Sequence, residues 1–69
     1  MTISARNQLK GKVTSIDEGA VNAIVTMDIG NGNTVKATIS LNAIKELGLS
    51  IGKEAYAVIK ATSVMVAVD

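Results

Sequence analysis

Apolar and polar positions alternate, in part, from the start of the chain. Ile3, Ala5, Leu9, Gly11 and Val13 stand against Arg6, Gln8, Lys10 and Lys12. Such alternation assigns each set to one face of a strand, which predicts a strand over residues 3–16. "DEG" at Asp17–Gly19 reads as a turn. A second strand is predicted over residues 20–29. It carries Val21, Ala23, Val25, Met27 and Ile29 on one face and Asn22, Ile24, Thr26 and Asp28 on the other. "GNGN" at residues 30–33 is the clearest hairpin signal, because Gly and Asn tolerate the positive φ of a tight turn. Val35, Ala37 and Ile39 then alternate with Lys36 and Thr38 in a third strand.

At Ser40 the period changes. Leu41, Ile44 and Leu47 fall at helical spacing, with Ser40 placed as an N-cap and Gly48 as a terminator. The predicted helix is short, about two turns. "LSIGK" turns the chain again, and "EAYAVIKA" and "SVMVAV" read as fourth and fifth strands, broken near Ala61–Thr62. The expected architecture is all-β. It is a five-stranded OB-like Greek-key barrel with one short helix between strands 3 and 4, in a single domain spanning residues 1–69. An SH3-like barrel or an open meander is the competing arrangement.

Composition adds a constraint on assembly. A domain of about 60 residues buries only about 60% of the surface its unfolded chain exposes. This chain has 69 residues, no Cys and no His, so disulfides and the common metal ligands are unavailable as staples. Hydrophobic residues nevertheless make up 48% of it, with Tyr56 the one aromatic. Such a surplus is expected to lie in subunit interfaces. No stretch approaches the ~18 apolar residues of a spanning helix. "MTISARNQ" lacks the charged-then-apolar pattern of a signal peptide, so the cytoplasm is the expected location.

The same absences exclude most chemistry. Without His or Cys there is no ordinary base or nucleophile, and the carboxylates of Asp17, Glu18, Asp28, Glu46, Glu54 and Asp69 fall mainly in turns or on solvent faces. An enzyme is not expected. "GNGN" lacks the strand–loop–helix setting of a phosphate loop. Nucleic-acid readers of this architecture stack bases on aromatic platforms, which one Tyr and a net charge of +1 do not supply. Small anions remain. Arg6, Lys60, Ser4, Ser40 and Thr62 are donors that could converge on an oxyanion. Taken alone, Ser40 reads as a plain helix cap and Lys60 as a solvated surface lysine.

"SARNQLKGKV" near the N-terminus and "IKATSVMVA" near the C-terminus resemble the molbindins, small molybdate-binding proteins built from one Mop (TOBE-type) domain. Ser4, Ala5, Arg6, Asn7, Leu9, Gly11 and Val13 carry the first motif; Lys60, Ala61, Ser63 and Val64 carry the second. The same domain is appended to molybdate-responsive regulators and transporter ATPases; this chain resembles the free-standing form. The resemblance implies an OB-like fold and a hexamer built as a trimer of dimers. It also implies binding of molybdate or tungstate at subunit interfaces, for intracellular storage or buffering. The oxyanion is the ligand, with no protein atom coordinating the metal and no catalytic cofactor. Carried over, the motifs imply Ser4, Arg6, Lys60 and Ala61 as ligands, Ala61 through its N–H, with Ser40 as a hydroxyl contact. Half of each site is expected from another subunit, for instance Ser4 and Arg6 from one and Lys60 from its neighbour. A second kind of site near the threefold axis is expected at Gly19, Ala20, Val21 and Asn22. The alternative function is an oligomeric OB-fold interaction module that binds protein or nucleic acid.

Overall fold

The computed structural model describes residues 1–69. Four strands form one antiparallel sheet: β1 (Asn7–Glu18), β2 (Asn22–Gly30), β3 (Asn33–Ser40) and β4 (Glu54–Ile59). Their spatial order is β3-β2-β1-β4. Helix α1 (Leu41–Leu47) lies between β3 and β4 in the chain, and a 3₁₀ turn, Ala61–Ser63, follows β4. The outer strands jointly line an apolar slot of about 310 Å³, with Val35, Ala37 and Ile39 from β3 and Ala55, Ala57 and Ile59 from β4. The sheet is therefore curled until its two edges face each other.

The expected fifth strand is absent. A helical turn stands at Ala61–Ser63, and Val64–Asp69 continue without strand pairing. Met65, Val66 and Val68 are 92%, 90% and 92% exposed. Alternating β-branched residues supply propensity, but a strand exists only against a partner edge, and this segment meets none in its own chain. The first strand likewise begins at Asn7 rather than at residue 3.

β1 explains its own imperfect alternation. It pairs with β4 from Asn7 opposite Ile59 to Lys12 opposite Glu54, and with β2 from Lys12 opposite Asp28 to Glu18 opposite Ala23. The register with β2 shifts between Val13 and Ser15. One extra residue there turns Ile16 inward after Val13, three positions on instead of two. Val13, 1% exposed, sits at the centre of a core completed by Ala23, Val25, Met27, Ile44 and Ala57. From the predicted β2 face, Ala23, Val25 and Met27 are buried, whereas Val21 is 72% exposed.

The hairpin between β2 and β3 has positive φ at both central residues, Asn31 (55°) and Gly32 (77°), the conformation of a type I′ turn. Helix α1 is closed at both ends. Ser40 Oγ accepts from Ala43 N–H at 3.0 Å. Gly48 adopts φ 63°, and the Gly48 and Leu49 N–H groups return to the Lys45 and Ile44 carbonyls. Lys53 Nζ donates to the Leu47 and Gly48 carbonyls, each at 2.9 Å, placing a cation at the negative end of the helix. Leu47 at the end of α1 and Leu49 beyond it reach the slot between the edge strands.

Two consequences are measurable. A Cβ added at Gly11 would lie 2.3 Å from the Asp28 carbonyl oxygen. Gly11→Ala is expected to cost about 1–3 kcal/mol in urea unfolding at fixed protein concentration. Ser15→Ala, exposed on the same strand, should stay within about 0.5 kcal/mol of the parent. Ser40→Ala removes the helix cap and should cost about 1 kcal/mol in the absence of any anion. A loss well below that in either Gly11→Ala or Ser40→Ala would contradict the close approach or the cap it tests.

Candidate functional site

The β1–β4 ladder ends at Asn7 opposite Ile59, so Arg6 and Lys60 take the next positions outward. There the chain segments on either side of the sheet form a cleft of about 480 Å³. Ser4, Arg6, Lys60, Ala61 and Thr62 line it, with apolar walls from Ile3 and Val58. Four of the five expected primary residues are thus brought together. They come from a single chain, so the geometry does not require Arg6 and Lys60 to be contributed by different subunits.

The cleft is a set of donors. No carboxylate lines it. Arg6 and Lys60 join no ion pair; the one pair in the chain is Lys10 Nζ to Glu54 Oε2 at 3.1 Å. That contact raises the Lys10 ammonium and lowers the Glu54 carboxyl, in each case first through the hydrogen bond and then through the partner's charge. Both groups are solvated on the outer face of the β1–β4 pair, where such contacts are worth little. The 3₁₀ turn engages the N–H groups of Ser63 and Val64, on Lys60 and Ala61 carbonyls at 2.9 and 3.3 Å. The Ala61 and Thr62 N–H groups open that turn and are left outside its hydrogen bonds. A guanidinium fork, an ammonium, two hydroxyls and backbone N–H groups around one opening suit a small, multiply charged anion.

Ser40 is not part of this arrangement. It faces Asn22 across the β2–β3 pair, at the end of the sheet where β1 finishes, while Arg6 lies beyond the start of β1. Its Oγ lone pair is committed to the helix cap, which leaves the hydroxyl proton free to donate. At that same end, Gly19 and Asn22 line a second pocket of about 320 Å³, beside Asp17, Glu18 and Thr38. Ala20 and Val21 do not line it. Two carboxylates at its wall oppose an anion. Thr62, one of the donors the sequence offers for an oxyanion, joins the cleft although the motif resemblance assigns it no role. The role of Lys53 at the helix end had no signal beyond its charge.

Comparison with known proteins gives one consistent answer. The TOBE domain family model matches residues 3–66. The probable molybdenum-pterin-binding protein of Haemophilus influenzae is 70% identical over 69 residues, covering all of both chains. Among solved structures, MopII from Clostridium pasteurianum is similar with a TM-score of 0.91 and 48% identity, over 97% of this chain and 100% of that one. A molybdate binding protein from Sporomusa ovata gives 0.90 and 36%, over 97% and 98% of the two chains. The Haemophilus influenzae and Sporomusa ovata relatives are named as binding proteins, and the two solved structures share the fold nearly end to end. The chain belongs to the TOBE domain family and, within it, to the molbindins.

Proposed function

We propose that the chain binds molybdate, and tungstate in the same position, through Ser4, Arg6, Lys60 and Ala61, and that it stores or buffers the ion inside the cell. The observation that carries this reading is the donor-only cleft, with its two unpaired cations. The names of the Sporomusa ovata and Haemophilus influenzae relatives support it. The latter name couples molybdenum to a pterin. A pterin ring would call for an aromatic face and matched acceptors, and Tyr56, the only aromatic, lies outside the cleft. The ligand is therefore read as the bare oxyanion. The protein performs no reaction on it.

Residues 1–69 act as one oxyanion-binding domain in a cytoplasmic homo-oligomer, a hexamer built as a trimer of dimers. Only six of 69 residues are buried, and the slot between β3 and β4 together with the C-terminal valines leaves apolar surface for neighbouring copies. Ser40 reaches the anion from a neighbouring subunit, since its own chain holds it at the far end of the sheet. A second anion position at Gly19–Asn22 would need neighbouring subunits to add donors that outweigh Asp17 and Glu18.

Selectivity tests the ligand. Fixed donors suit one anion radius, and a smaller anion leaves donors unpaired at roughly 1–3 kcal/mol each. Hydrogen phosphate also brings a proton where the cleft offers protons. Calorimetric competition should rank molybdate and tungstate far above sulfate and phosphate; equal affinity for sulfate would sink the proposal. Arg6→Ala should weaken molybdate binding about ten- to hundredfold, and Arg6→Lys should restore little, because an ammonium cannot reproduce the planar fork. Binding of single-stranded oligonucleotide in place of molybdate would support the interaction-module alternative.

Assembly and binding are linked if a neighbour supplies Ser40. Molybdate at a hundredfold excess over Kd should then stabilise the oligomer by roughly 2.7 kcal/mol per independent site. Thermal unfolding and sedimentation at matched ionic strength should separate this from a salt effect of chloride. Tight binding by a demonstrably monomeric chain would rule out the shared site.

A further inference from the structure

Asn7 and Gln8 belong to the same run of sequence as Ser4 and Arg6, yet neither lines the cleft. Each commits its carboxamide N–H to a backbone carbonyl at the cleft's edge. Gln8 Nε2 donates to the Ala5 carbonyl at 2.7 Å. Asn7 Nδ2 donates to the Ile59 carbonyl at 3.3 Å. Ala5 lies between Ser4 and Arg6, and Ile59 immediately precedes Lys60. The two bonds thus fall on the two segments that carry the cleft's donors.

We propose that Asn7 and Gln8 are positioning residues of the anion site. Gln8 folds the Ser4–Arg6 segment back onto the start of β1, and Asn7 ties that start to the Lys60–Ala61 segment. This inference rests on reading the cleft as the anion site. Its physical basis is that Met1–Arg6 lie outside the sheet and the β1–β4 ladder stops one position short of Arg6 and Lys60. Ladder ends fray, and donors carried on frayed chain must be ordered when the ligand arrives. Side-chain bonds at the last rung and just beyond it order them beforehand.

The residue types fit the task. A carboxamide donates to a carbonyl without adding charge. A carboxylate in either place could not donate and would repel a dianion. A lysine or arginine would add a third cation beside Arg6 and Lys60, which already lack anionic partners.

The test uses Gln8→Met and Asn7→Leu, which approximate side-chain size and remove the donor. Calorimetry gives the affinities for molybdate and for sulfate, sedimentation the assembly state, and urea unfolding without anion the stability. Gln8 is exposed and its bond is local, so Gln8→Met is expected to fold and assemble as the parent does. Its molybdate affinity should fall about five- to tenfold, the scale of one lost hydrogen bond. Its preference for molybdate over sulfate should shrink as well, because loosened donors no longer define one radius. A purely structural role would instead lower stability and leave that preference intact. The proposal is overturned if Gln8→Met binds both anions as the parent does, or if it loses affinity for both in equal proportion. Should Asn7→Leu fail to assemble, Gln8→Met decides the matter alone. If the parent protein itself binds no molybdate, the reading of the cleft fails. If the parent binds, Arg6→Ala does not, and Gln8→Met matches the parent, only the positioning role fails.

Discussion

Strand β1 has to serve two neighbours, and the rest of the molecule follows from how it does so. Its first half pairs with β4 and its second half with β2, with Lys12 common to both ladders. One flat strand cannot turn the same side chains inward for both halves of a curled sheet. The irregularity between Val13 and Ser15 resolves this by inserting a residue where the two pairings meet. Gly11 lets the Asp28 carbonyl come to a distance that no side chain permits. Val13, at this junction, is the most completely buried residue in the chain.

The donor-lined cleft is a product of the same geometry. Because β1 and β4 run antiparallel and end together at Asn7 and Ile59, the N-terminal and C-terminal segments leave the sheet side by side. Two cations separated by more than fifty positions in sequence become neighbours without a carboxylate between them. Nothing in the chain neutralises them, whereas Lys10, four residues beyond Arg6, is satisfied by Glu54 across the same pair of strands. Proximity of like charge at a site with apolar walls favours occupation by an anion.

Small size sets the remaining constraint. Six buried residues make a core too slight to absorb a chain that is 48% hydrophobic. The slot between the edge strands and the exposed C-terminal valines are where that excess appears. Apolar area left uncovered by one chain in this way is of the kind that another chain can cover.

What the sequence alone determined was local. The hairpin at Gly30–Asn33, the Ser40 cap, the Gly48 terminator and the inward face of Ala23, Val25 and Met27 were all legible, because turn chemistry and side-chain period act over a few residues. The SARN and KATS motifs named the donors Ser4, Arg6, Lys60 and Ala61 through family resemblance; their adjacency in one chain depends on the β1–β4 register, which no local pattern encodes. The bulge after Val13 was not read from the sequence, where its only trace is the three-residue step from Val13 to Ile16. Only the tertiary structure separated Ser40 from the cleft, by placing the last residue of β3 at the end of the sheet where β1 finishes, away from the start of β1. It also left residues 64–69 unpaired, since propensity can describe a strand but a partner edge must exist for one to form. The carboxamides of Asn7 and Gln8 are the plainest case: their identity was written in the motif, but their acceptors, the carbonyls of Ile59 and Ala5, appear only once the chain is folded.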